Sequence, residues 1–306
     1  MAAVAYVFPG QGSQAVGMGK DLVEQFAAAR RVFEEADATL GFSLSRLCFE
    51  GPADELRRTV NAQPAILVTS LACLRAAEEM APEALEGPPS FVAGHSLGEY
   101  TALIAAGVVD FAQGLLLVRE RGRLMEMCGE LEPGTMAAIL GLEEPAVEEI
   151  CQEAGVEMAN INCPGQIAVS GTPDGVARAM DLAKQRGARR AVPLDVSGAF
   201  HSRLMRPASE GLAKAVAGET FRPAEVPVVA NVTGLPLTAA AALKDELVQQ
   251  LTSPVRWQRS VEYMLEAGVT SFVEIGPGRV LTGLIRRIHE GARLVNIENA
   301  ASLLER

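Results

Sequence analysis

Along this chain, short runs of apolar residues alternate with longer stretches in which apolar positions recur every three or four residues, and glycine and proline mark the breaks between them. Residues 3–8 read as a buried strand, 9–19 as a loop and 20–37 as a helix. A second helix is expected over 65–80, beginning after Pro64, and 82–89 is expected to be a loop. The short apolar run 91–93 predicts a strand, followed by a glycine-flanked serine and a helix to about residue 106. Asp110 is placed to cap a further helix reaching about residue 128.

The rhythm then changes. Strand 135–142, helix 145–153, strands 156–162 and 166–171, helix 174–186 and strand 188–196 follow in order. This β-α-β-β-α-β sequence is the ferredoxin-like signature. The expected architecture is therefore α/β, with residues 1–127 and 197–306 forming a large domain and 128–196 a small inserted subdomain. The large domain resumes with a helix from Ser202, a strand over 227–231 and helices over 243–251 and 259–266. A strand over 271–275 and a helix from about residue 280 complete it.

Composition narrows the function. Of 306 residues 49% are apolar, enough for a large core, yet no run approaches the ~18 uncharged apolar residues of a membrane span. The chain opens on a strand-like run without a basic, signal-like segment, so a soluble cytoplasmic protein is expected. The five cysteines are scattered and never form a CxxC pair, which fits reduced thiols rather than disulfides or a zinc site. No metal and no cofactor are expected. A formal charge of −11 argues against nucleic acid. Two local basic clusters, Lys184/Arg186/Arg189/Arg190 and Arg286/Arg287, fit either solvated surface or an acidic protein partner.

Candidate chemistry centres on Gly94-His95-Ser96-Leu97-Gly98, a G-x-S-x-G pattern between a predicted strand and a predicted helix. A strand that turns abruptly into a helix strains the serine backbone and leaves its hydroxyl at the tip, and neighbours two residues away must lack side chains. The backbone N–H of Leu97 is the expected first oxyanion donor. Such a serine needs a base, and the chain has three histidines. His95 adjoins the serine and is read as packing; His289 falls near a helix end and is read as structural. His201 lies in a glycine-containing turn before a helix and is the remaining base. Asp195 is the carboxylate nearest to it in sequence, but nothing places the two together, so the third member of a triad stays open.

Arg121 stands apart from its neighbours Arg119 and Arg123, because Leu117, Val118, Leu124 and Met125 share its helical face. A guanidinium there requires an anion, either an internal carboxylate or the carboxylate of a substrate. Gly276-Pro277-Gly278 precedes a predicted helix but lacks the Gly-Lys-Ser/Thr ending of a phosphate loop and is read as a structural turn.

These segments, in this order, resemble the malonyl-coenzyme A:acyl carrier protein transacylases of fatty acid synthesis. The resemblance rests on Phe8 to Gln14 (FPGQGSQ), Gly94 to Tyr100 (GHSLGEY), Arg121-Gly122, Asn162 to Gln166 (NCPGQ), Gly198 to Ser202 (GAFHS) and Glu274 to Gly278 (EIGPG). It implies an α/β-hydrolase-like large domain with a ferredoxin-like insertion. It also implies a malonyl group carried on Ser96 from malonyl-coenzyme A to the phosphopantetheine thiol of acyl carrier protein, with His201 as base and then acid. The N–H groups of Gln11 and Leu97 would form the oxyanion hole, Arg121 would hold the malonyl carboxylate, and the main-chain carbonyl of Gln250 would orient His201. The motif around Phe200 resembles the malonyl-selective form, in which the ring crowds the substrate α-carbon. A monomer is expected. Competing readings are a serine thioesterase or esterase, a catalytically silent scaffold for a carrier protein, and an acyltransferase serving a polyketide synthase.

Overall fold

The protein is described by a computed structural model over residues 3–304, in which the strands form two sheets. In chain order they are β1 (Ala3–Phe8), β2 (Phe91–Gly94), β3 (Thr135–Leu140), β4 (Glu157–Cys163) and β5 (Gln166–Gly171). After these come β6 (Arg190–Pro193), β7 (Val228–Val229), β8 (Pro236–Leu237), β9 (Val269–Ile275) and β10 (Arg293–Ile297).

The larger sheet runs β10-β9-β1-β2-β7-β8, parallel except for β8. Helices cover both faces, so its central strands are apolar at every position rather than at alternate ones. Along β1, Val4, Tyr6 and Phe8 enter one core, whereas Ala5 and Val7 enter another with Val261, Phe272 and Ile285. The smaller sheet, β4-β5-β3-β6, is antiparallel and has its own core of Ala137, Ile139, Val147, Ile150, Val169 and Val176. Its β-α-β-β-α-β order is the one read from the sequence. Backbone bonds from Val255 N–H to Ala159 O (2.8 Å) and from Ile161 N–H to Val255 O (2.9 Å) tie β4 to the rest of the molecule.

Several expected boundaries move, each for a physical reason. The helix expected over 20–37 is two, Lys20–Gln25 and Ala27–Leu40, because Phe26 turns extended (φ −122°, ψ 123°) and buries its ring. The helix expected to start after Pro64 begins at Thr59 and runs to Met80 with the proline inside it. Proline cannot donate to the carbonyl four residues back, and Arg119 Nη1 donates to that Val60 carbonyl instead. The strand expected over 188–196 shrinks to β6, an edge strand that ends at Pro193. The helices Leu44–Glu50 and Ala53–Arg57 and the strand β10 were not expected from the sequence pattern.

Candidate active site

β1 and β2 are neighbours in the middle of the parallel sheet, and their carboxyl ends open onto one cleft, where such sheets commonly place their chemistry. β2 ends at Gly94, the helix Gly98–Ala105 starts four residues later, and Ser96 makes the turn with φ +51°. A Cβ on Gly94 would lie 1.9 Å from the carbonyl carbon of Gly98, and one on Gly98 would lie 2.1 Å from Phe8 O. Both positions must therefore be glycine if the serine is to be presented at all. Asn231, just beyond β7, clamps the turn: its Oδ1 accepts from Ser96 N–H at 2.7 Å and its Nδ2 donates to Gly94 O at 2.7 Å.

His201 Nε2 lies 2.8 Å from Ser96 Oγ, and Nδ1 lies 2.8 Å from the main-chain oxygen of Gln250. Because a carbonyl only accepts, Nδ1 carries the hydrogen and Nε2 is left as the acceptor for the serine proton. Burial, reinforced by the positive charge of Arg121, pushes the His201 pKa down to about 3, so the ring is neutral at ordinary pH. His201 itself has φ +58°, a strained conformation for a residue with a side chain. Asp195 is not brought to the histidine; its carboxylate is almost fully exposed, 3.9 Å from Arg57. His95 turns away from the serine, bonds Asn162 Oδ1 at 2.8 Å and packs against Trp257. His289 follows the helix Val280–Ile288 and donates its own backbone N–H to Ile285 O.

Arg121 is 1% exposed on the helix Phe111–Leu131. Gly122 allows that helix close to Thr59–Met80, since a Cβ there would meet Thr59 O at 2.9 Å. The guanidinium donates to Gln63 Oε1 (2.8 Å), Gln250 Oε1 (2.8 Å) and Ser96 Oγ (3.0 Å). All three acceptors are neutral, and Nε is buried without a partner. Among the described residues no carboxylate lies within 4.0 Å of it. Of the two partners the sequence left open, the internal salt bridge is absent.

The loop after β1 packs directly on the elbow: a Cβ on Gly10 would sit 2.3 Å from His95 O. Gln11, Ser96, Phe200 and His201 line one cavity of about 580 Å³ whose outer wall includes Arg57, Arg58, Leu194 and Ser197. Leu97 is fully buried at the start of the helix, with its side chain away from that cavity. Gly276, with φ +137°, packs its backbone against Ser70 and Pro9, so the Gly-Pro-Gly segment serves as a turn that supports the same loop.

A family model described as "Acyl transferase domain" matches residues 5–303. The chain belongs to the acyl transferase family. It is 46% identical to the malonyl CoA-acyl carrier protein transacylase of Bacillus subtilis, over 99% of this chain and 96% of that one. Among solved structures it superposes on an acyl carrier protein S-malonyltransferase from Vibrio cholerae with a TM-score of 0.94 and 44% identity, covering 99% of both chains. It likewise resembles a malonyl-transacylase solved in complex with a type II PKS acyl-carrier protein, with a TM-score of 0.93, 42% identity, and coverage of 99% of this chain and 98% of that one.

Three polar residues of this candidate site escape a reading of the sequence. Asn231 ends an apolar run, Gln63 sits inside a helix buried on almost every side, and the Gln250 side chain joins Arg121, Glu99 and Ser96 O. Each is a single amide with no spacing pattern to mark it. Their only signal is burial, which requires hydrogen-bond partners and becomes visible once the fold is known.

Among the described residues no helix is long and apolar enough to cross a membrane, and no three His, Cys, Asp or Glu side chains gather as metal ligands.

Proposed function

We propose that this chain transfers a malonyl group from malonyl-coenzyme A to the phosphopantetheine thiol of an acyl carrier protein through a malonyl-Ser96 intermediate. The observation that carries the reading is Arg121: a buried guanidinium with only neutral acceptors, one hydrogen bond from the nucleophile's oxygen. An acyl group ending in a carboxylate gives the guanidinium a direct anionic partner; an acetyl or long alkyl group does not.

Ser96 Oγ attacks the thioester carbonyl while His201 Nε2 takes its proton, and the Gln250 carbonyl holds the ring in the required tautomer. The N–H groups of Gln11 and Leu97 receive the oxyanion. Collapse of the tetrahedral species expels the coenzyme A sulfur, which takes the proton from His201. The carrier-protein thiol then repeats the sequence in reverse, giving up its proton to His201 as it attacks the serine ester. A neutral His201 is the form this cycle starts from, in keeping with its depressed pKa. Phe200, buried at the cavity wall, would limit branching at the substrate α-carbon.

The finer architecture belongs to the same proposal: an α/β-hydrolase-like domain of residues 1–127 and 197–306 with a ferredoxin-like subdomain, 128–196. The strand-to-helix elbow at Ser96 supports the first description. The antiparallel order β4-β5-β3-β6 around a separate core supports the second.

The test is an intact-protein mass spectrum taken seconds after mixing with malonyl-coenzyme A. One malonyl adduct on the native protein and none on Ser96→Ala is the expected result. Free malonate accumulating without an adduct would replace the transferase reading with that of a hydrolase.

A further inference from the structure

Arg121 has no carboxylate within ion-pair distance, yet two carboxyl groups lie just beyond its amide partner. Glu99 is in the first turn of Gly98–Ala105, and Glu246 is one turn before the end of Ala240–Gln250; they are 1% and 6% exposed. They accept successive backbone N–H groups, Asn231 N–H to Glu99 Oε1 at 2.9 Å and Val232 N–H to Glu246 Oε1 at 2.8 Å. The two carboxyls are thereby held at neighbouring positions on one turn of backbone. Gln250 links them to the site: its Oε1 accepts from Arg121 Nη2 at 2.8 Å, while its Nε2 donates to Glu99 Oε2 and, at 3.0 Å, to Ser96 O.

Two neighbouring carboxylates that were both ionised and out of water would repel each other strongly, which favours the retention of a proton by one of them. Burial, then the charge of Glu246, raises the pKa of Glu99; burial raises that of Glu246. The groups facing the pair are Arg121, on the helix Phe111–Leu131, and the neutral phenol of Tyr100 beside it.

We propose that Glu99 and Glu246 are a pair of positioning residues that share one proton and bear a single negative charge. Through the Gln250 amide, that charge balances Arg121 until a substrate carboxylate reaches the guanidinium. The inference rests on the malonyl-transfer reading and deepens it. Neither glutamate touches the reacting atoms. They act through Gln250, whose carbonyl orients His201, and through Asn231, whose side chain clamps the elbow. The arrangement also explains how an arginine can be buried at 1% exposure before substrate binds: its compensating charge is present, but held one side chain away, so the guanidinium still favours an incoming carboxylate.

The first measurement is an infrared difference spectrum of the substrate-free protein, native minus Glu246→Gln, at pH 7. A glutamine there can accept from Val232 N–H and donate to Glu99, leaving the charge on Glu99 and no shared proton. A protonated-carboxyl band in the native protein that disappears in the variant is expected; its absence from the difference overturns the pair. The second is the ratio of malonyl to acetyl adduct on Ser96 when both coenzyme A esters compete for Glu99→Gln/Glu246→Gln. Loss of the balancing charge is expected to raise that ratio roughly tenfold. A merely structural role would depress both adducts together, and an unmoved ratio overturns the balancing charge. If the double variant does not fold, the native-minus-Glu246→Gln spectrum still decides whether the proton is shared. A native protein that takes up no malonyl overturns the functional reading, whereas the infrared band tests the pair independently of it.

Discussion

Replacing Arg121 by alanine tests whether its guanidinium distinguishes a malonyl from an acetyl group. In the native protein the guanidinium is 1% exposed and meets neutral oxygens of Gln63, Gln250 and Ser96. A malonyl carboxylate would therefore meet an already desolvated cation with two N–H groups able to bond it in parallel. Truncating one side of such a pair costs about 2–5 kcal/mol. At about 1.36 kcal/mol per tenfold change, malonyl loading should fall by roughly thirty- to several-thousand-fold. An acetyl group has no carboxylate to lose. Its loading loses only the bond from Arg121 to Ser96 Oγ, worth on the order of 1 kcal/mol, and should stay within about tenfold of native. The two effects separate in a single-turnover mass-spectrometric assay with malonyl- and acetyl-coenzyme A in competition. Acetyl loading then serves as the control for intact folding, which matters because Gln63 and Gln250 each lose a buried donor. Arg121→Lys keeps the charge without the planar fork and should fall between the two. A malonyl-to-acetyl ratio unchanged in Arg121→Ala would refute the assignment of the guanidinium to the substrate carboxylate.

Four further outcomes follow from the same geometry. In the proposed cycle His201 acts as the neutral ring, and its pKa is depressed to about 3, so activity should persist as pH falls. The rate of Ser96 acylation should thus stay level from pH 7 to about 5, where an ordinary imidazole near 6.5 would already be mostly protonated; an acid limb near 6.5 in the pH–rate profile would contradict this. The same depressed pKa means that an unfolded chain takes up a proton at His201 below about pH 6.5 that the folded one refuses, so this residue's contribution to stability declines as pH falls from there toward 3. Asp195→Asn should change acylation less than about twofold, because the exposed carboxylate takes no part in orienting the histidine and an exposed charge this far out is well screened. A hundredfold loss would restore it as a triad member. Phe200→Ser should raise the use of methyl-branched over unbranched malonyl esters by about 10- to 100-fold, the range set by ~1–3 kcal/mol for one methyl group in an apolar pocket. Parallel kcat/KM measurements on the two esters check it.

Much of this protein could be read from its amino-acid order. The strand at β1, the Asp110 cap, whose Oδ1 accepts from Gln113 N–H at 2.8 Å, and the β-α-β-β-α-β rhythm of residues 135–193 are all local patterns. The elbow was legible for the same reason: two glycines flanking a serine between a strand and a helix express a steric need confined to five residues. Arg121 was legible as a charge on an apolar helical face. Where a local rule met a distant compensation, the reading failed. Pro64 was expected to precede a helix, but Arg119, 55 positions further on in the numbering, supplies the donor that Val60 O would otherwise lack. Phe26 breaks a continuous periodic pattern because its ring has a core to enter, and that core is built largely from later segments of the chain.

The sequence by itself determined which chemical groups were present and which elements carried them: a strained serine, a histidine in a turn, a guanidinium that required an anion. Tertiary structure alone decided the relations among them, because residues 96, 121, 201 and 250 are far apart in the chain and meet only when the helices close over the carboxyl ends of β1 and β2. It excluded Asp195, set the histidine against a main-chain carbonyl and denied Arg121 a carboxylate within reach. Burial is the reason. Whether a polar group is bonded, charged or left for a substrate depends on what water has been replaced by, and only the folded chain makes that replacement.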